Sequence, residues 1–146
     1  RRAYNFGVCA VSLADMAMTV GNCSGADDGT PEEWERLEEY WNHLGRVDFD
    51  NLIEMQPWWR QSMVRVKAYA ATYHWPGHCL VFLFARDDSK RDVEVRLNFK
   101  KLGLRKEEAA VQRLHPGPAK PLQRRDGKIK IRLPRQQNGY AALLIK

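Results

Sequence analysis

Hydrophobic spacing along the chain changes once. Up to about residue 56 the apolar positions recur in a helical period, and from Val64 to Lys146 they alternate with polar ones. Val8, Val11, Ala14 and Met18 share one face and predict a helix, or a strand leading into a helix, over Ala3 to Val20. Gly21 through Gly29 reads as a loop. The next helix carries its own punctuation. Thr30 is a natural N-cap, Pro31 suits the first helical position, and Glu33 completes a capping box. Glu32 and Glu33 also complement the positive end of the helix dipole. Trp34, Leu37, Trp41 and Leu44 form an apolar stripe with Tyr40 beside it, and Gly45 supplies a left-handed stop. The spacing predicts a helix over Pro31 to Leu44. Arg46 to Gln56 reads as irregular, with a short helical turn at Asp50–Glu54.

After the switch the elements are strands. Val64, Val66, Ala68, Ala70 and Thr72 alternate with Arg65, Lys67, Tyr69, Ala71 and Tyr73. Trp75-Pro76-Gly77-His78 is a turn. Cys79 to Ala85 has no polar residue and predicts a strand buried on both faces. Arg86 to Arg91 reads as a charged hairpin loop. Val93, Val95, Leu97 and Phe99 face a core, and Lys101 to Leu104 closes that strand. Ala109 to Leu114 is another strand, broken by His115-Pro116-Gly117-Pro118. Ile129, Ile131 and Leu133 alternate with Lys128, Lys130 and Arg132, and Tyr140 to Ile145 follows the Asn138-Gly139 turn. Short strands with tight turns predict a mainly β fold with N-terminal helices: an antiparallel β-sandwich preceded by a short helical segment. The expected division is residues 1–60 helical and 61–146 sandwich.

The join itself is Pro57-Trp58-Trp59-Arg60. Aromatics at such a switch predict a seam, with Trp41, Trp58 and Trp59 fastening helix to sheet. Tyr73 and Trp75, beside a turn, are expected to be exposed. Flat rings with a polar edge suit stacking on sugars, so Tyr73, Trp75 and Trp58 are the candidate carbohydrate contacts.

The 146 residues, 44% hydrophobic and 29% charged, suffice for one globular core. No apolar run approaches the roughly 20 residues of a membrane span, and no membrane partner is expected. Net charge is +6 and permits an anionic partner. A polyanion site would use Arg124, Arg125, Lys128, Lys130 and Arg132, but most basic residues are interspersed with acids. A solvated face is the plainer reading, and nucleic acid is not the expected partner. Cys9, Cys23 and Cys79 have no metal-ligand spacing. A Cys9–Cys23 bridge is open, and Cys79 reads as a buried thiol. Asn22-Cys23-Ser24 matches the glycosylation pattern, as chance often does.

GxSxG, GxGxxG and Walker patterns are absent. His74 and His78 flank one turn but have no third ligand nearby in sequence, so neither metal nor cofactor is expected. Asp15, Asp48, Asp50 and Glu54 are the carboxylates to weigh as a hydrolytic pair; solvated turns explain them more simply. No catalytic residue is assigned.

The order of parts carries a resemblance. Thr30-Pro31-Glu32-Glu33-Trp34 and Tyr40-Trp41 are followed by Gln56-Pro57-Trp58-Trp59. Then come Val66-Lys67-Ala68-Tyr69, Leu80 to Ala85, Val93 to Leu97, Leu102-Gly103-Leu104 and Gly139 to Leu144. This resembles the C-terminal region of large (β/α)-barrel glycoside hydrolases, where the barrel's end carries a small antiparallel β-sandwich. Arg86-Asp87-Asp88 stands where related sandwiches often have Asn and Trp. The resemblance implies a non-catalytic portion of a carbohydrate-active enzyme, structural or shaping the sugar cleft. Its partner would be the rest of a parent enzyme, or a partner chain, packed on the helical segment. A secreted or extracellular setting would follow. The start at Arg1-Arg2, without Met, fits a processed product or, as the preferred expectation, a piece of a longer protein. A free-standing glycan-binding module and a polyanion binder are the alternatives.

Overall fold

The computed structural model describes residues 31–134, apart from Asp88, and residues 140–146. The expected first helix and loop, the Thr30 cap, Cys9, Cys23 and the Asn138-Gly139 turn lie outside the described residues.

Helix α1 spans Pro31–Leu44, the bounds expected from the sequence. Nine strands follow among the described residues. They are β1 (Glu54–Gln56), β2 (Val64–Arg65), β3 (Tyr69–Trp75), β4 (His78–Phe84) and β5 (Asp92–Leu97), then β6 (Val111–His115), β7 (Lys120–Leu122), β8 (Lys128–Arg132) and β9 (Ala141–Ile145). They form a six-stranded sheet in the order β1-β3-β4-β9-β6-β7 and a three-stranded sheet in the order β2-β5-β8, with every pairing antiparallel. The fold class is therefore the one that alternation predicts: mainly β, two facing sheets, and a helix ahead of them.

The large sheet is the middle layer of three. One face meets the small sheet, where Val81, Leu83 and Leu143 share a buried cluster with Val95, Ile129 and Ile131. The other face meets α1, where Tyr40 and Leu44 join Tyr73, Leu80, Phe82 and Tyr140. A strand covered on both sides loses its alternation. Every residue of β4 from Cys79 to Phe84 is buried, as is every residue of β9.

Several sequence expectations shift, each for a visible reason. The run from Val64 to Tyr73 is not one strand: β2 lies in the small sheet and β3 in the large one. Val64, Val66, Ala68 and Ala70 all turn to the inter-sheet core across the bend, so alternation survives the break. Arg86 to Arg91 does not close a hairpin but carries the chain from β4 to β5 in the other sheet. Phe99–Leu102 is a single helical turn, α2, not strand. Asn98 caps it by accepting from the Lys101 N–H, and Gly103, at φ +65°, ends it. Gly45 is not left-handed. Its N–H bonds the Trp41 carbonyl at 2.8 Å, and two further tight turns close α1 at Arg46 and Val47. The expected turn at Asp50–Glu54 is instead a 3-10 turn at Phe49–Asn51. Strands β1 and β7 were not foreseen. With β1 pairing β3, the sheet begins at Glu54, ahead of the expected junction at residue 60.

Candidate functional site

Trp58 and Trp59 stand on a 3-10 turn, Trp58–Arg60, entered from an extended Pro57. They are 37% and 54% exposed, so the expected seam is corrected: neither ring joins helix to sheet. Trp41 is exposed as well; Tyr40, one residue earlier, takes the buried place on α1. The indole of Trp58 meets Trp59 at 5.6 Å and Tyr69 at 4.8 Å, both edge to face. Arg86 lies 5.5 Å over the other end of this row, above Tyr69.

What turns the tryptophans outward is a polar clamp beneath them. The chain must leave β1 in one sheet and enter β2 in the other within seven residues, and its backbone groups have no ladder partner there. Two glutamines replace it. Gln56, only 7% exposed, accepts from the Ser62 N–H at 2.8 Å and the Met63 N–H at 3.2 Å. Its amide donates to Glu54 Oε1 and Ser62 Oγ, each at 2.9 Å. Gln61 donates to the carbonyls of Gln56 and Ala70 and accepts from Met63 N–H at 2.9 Å. Lys101 Nζ donates to Ser62 Oγ, and Asn98 binds the Ser62 carbonyl. The Ser62, Met63 and Val64 N–H groups and the Gln56, Ser62 and Ala70 carbonyls thus find side-chain partners.

Beside the clamp lies an open groove of about 670 Å³ whose wall includes Trp58, Ser62, Arg65, Arg86, Arg96 and Asn98. No carboxylate lines it among the described residues. The three arginines are exposed, and none makes an ion pair among the described residues.

The three sequence-predicted carbohydrate contacts are not brought together. Tyr73 and Trp75 are 0% and 6% exposed, which corrects their expected role as surface contacts. Both face α1 rather than solvent, because Tyr69, Ala71, Tyr73 and Trp75 share the sheet face that the helical layer covers. Burial pushes the Tyr73 hydroxyl up to about 12 against the influence of Tyr40 beside it. Of the three carbohydrate candidates, Trp58 lines the groove described above.

Part of the basic set stays together: Arg125, Lys128 and Lys130 line one open groove, with Glu94 and Asp126 among them. Arg124 is a staple: its guanidinium donates to the carbonyls of Lys106 and Ala109 and lies 4.9 Å over Phe99. Arg125 and Lys128 close a turn whose central residues, Asp126 and Gly127, both have positive φ. Lys128 reaches Glu94 at 3.6 Å, Lys130 sits opposite Glu94, and Arg132 reaches Asp92 at 4.0 Å. The outer face of the small sheet carries both signs along these rungs.

His74 and His78 do not meet. His74 is buried, and its Nε2 donates to the Leu102 carbonyl at 3.1 Å. His78 stacks on Trp75 at 5.2 Å. No metal-binding cluster occurs among the described residues. Asp48 caps the Phe49–Asn51 turn through Asn51, and Glu54 serves Gln56, so both carboxylates have structural partners. Cys79 is fully buried, and burial pushes its thiol up to about 12, far from a reactive thiolate.

Trp59, Tyr69, Arg65, Arg86 and Arg96 were missed as a site by sequence reasoning. Alternation does mark Arg65 and Arg96 as outward, but their adjacency depends on register, which no local pattern carries. No family model, curated protein or solved structure matches the chain.

Proposed function

We propose that the chain is a non-catalytic β-sandwich portion of a carbohydrate-active enzyme, and that its Trp58 face contacts glycan. The observation that carries this reading is the presentation of Trp58 and Trp59. A protein that needs aromatic rings only for its core buries them, as this one buries Tyr40, Tyr73 and Tyr140. Here a dedicated hydrogen-bond clamp holds two indoles outward beside a groove lined by Ser62 and Asn98. An exposed planar apolar surface flanked by hydroxyl and amide groups fits a sugar ring, which has an apolar face and a polar rim. The three-layered sandwich, with its preceding helix, is compatible with the accessory region that the order of sequence motifs resembles. The remainder of a parent enzyme would lie on the helical side, where Trp41, Phe49 and Ile53 are 41%, 47% and 59% exposed.

Isothermal titration of the 146-residue chain against a panel of soluble polysaccharides tests the reading. Binding is expected, and Trp58→Ala should weaken it about tenfold, equivalent to ~1.4 kcal/mol. Absence of binding to every glycan at millimolar sugar would overturn it.

A further inference from the structure

We infer that the groove selects an acidic glycan, one whose sugars carry carboxylate or sulfate groups. This rests on the glycan-binding reading above and names the class of ligand.

The argument comes from charge register in the small sheet. Arg65 of β2 stands directly opposite Arg96 of β5, and Arg96 stands opposite Lys128 of β8. One rung therefore places three cations across all three strands. Like charges directly opposed on a sheet are unfavourable. The neighbouring rungs avoid this, with Glu94 opposite Lys130 and Asp92 opposite Arg132. Lys128 pairs with Glu94 at 3.6 Å, whereas among the described residues no carboxylate comes within ion-pair distance of Arg65 or Arg96, and Asp92 and Glu94 lie with them along a separate groove. Those two guanidiniums line the groove together with Arg86, which is held over the Tyr69 ring at the end of the aromatic row. The geometry thus offers two things at once: an indole for the face of a sugar, and guanidinium forks matched to a planar carboxylate or to a sulfate. An anion bound there would supply the counter-charge that the rung lacks. Trp58 and Trp59 stand at 89° to each other, which suits one ring at a time better than a run of stacked bases.

The test titrates the 146-residue chain with polygalacturonate and alginate, with a sulfated galactan, with neutral glucan and xylan, and with oligo-dT. Tighter binding to either anionic class than to the neutral glycans is expected, and the arm that binds identifies the anionic group. Raising salt should weaken it, as screening shortens to about 3 Å at 1 M. Arg96→Gln should lower affinity for the acidic glycan about tenfold while leaving the melting temperature unchanged or higher, because it removes the opposed charge. Neutral glycans bound as tightly as acidic ones, with Arg96→Gln without effect, would overturn this inference and leave the glycan-binding reading standing. Binding of no glycan, or preference for oligo-dT, would overturn both. A lower melting temperature in Arg96→Gln would show that Arg96 serves the fold and would overturn its assignment here.

Discussion

Two aromatic groups occupy the same face of the large sheet and meet opposite fates. At its centre, Phe82 is ringed by Tyr40 at 4.5 Å, Tyr140 at 5.8 Å and Tyr73 at 5.9 Å, all fully buried under α1. Toward the start of β3, Tyr69 meets Trp58, which meets Trp59, and both indoles remain exposed. The rings are chemically alike, so hydrophobicity does not separate the two groups. What separates them is the layer above. The first group is covered by a helix whose Tyr40 and Leu44 point down onto it. The second stands on a turn that side-chain amides hold in place, so its position does not depend on ring burial. The first group stabilises the fold, and the second is free to contact something else.

The comparison breaks most easily at its buried end. Phe82→Ala should cost about 3–5 kcal/mol in urea unfolding, the range for a large ring removed from a core. A cost below about 1 kcal/mol would mean that α1 does not hold this face. The clamp comes next. Gln61→Ala removes the side-chain donor to the Ala70 carbonyl and leaves the Met63 N–H with Gln56 as its one remaining acceptor, and should cost about 1–3 kcal/mol. It should also lower the fluorescence anisotropy of the indoles as the turn loosens. Full stability with unchanged anisotropy would show that the turn holds itself.

The pH dependence sharpens the same contrast, because the helical layer contains a histidine pair and the clamp does not. His43 and His115 lie 5.6 Å apart, with His115 stacked on Tyr140. Burial, then the neighbouring His115 and Arg46, hold His43 below its ordinary 6.5, with Glu39 opposing. Burial and Arg113 do the same to His115. The unfolded chain therefore binds more protons than the folded one just below that value. This stabilisation is whole above about pH 6.5 and is lost as pH falls through the folded values. The urea midpoint should drop between pH 7.5 and 5.0, and His43→Gln with His115→Gln should flatten the drop. A midpoint that rises on acidification would reverse the sign and refute the burial argument. The smallest effect belongs to the exposed end. Trp59→Ala should change stability by about 0.5 kcal/mol or less, and a larger loss would show that the ring packs after all.

These contrasts show where the sequence was legible. The limits of α1 were readable because the signals for a helix's ends lie within a few residues of them in the sequence. β4 and β9 were readable because double burial leaves an unbroken apolar run. The Trp58 seam was read as glue because adjacent aromatics near a change of period commonly fill cores. Tyr73 and Trp75 were read as exposed because a Pro-Gly turn follows, yet both belong to the buried cluster on the helical side of the large sheet. The clamp was invisible, since Gln56, Gln61 and Thr72 are ordinary polar residues until two chain crossings bring them together.

The sequence by itself determined that the chain is β-rich, which helix precedes the strands, and which strands are buried on both faces. Those properties follow from period and capping, which act within a few residues. Only the tertiary structure decided which aromatics face water, which arginines stand opposed, and where a groove opens. Those depend on register and on the order of strands between two sheets, and alternation reads the same whichever sheet a strand joins.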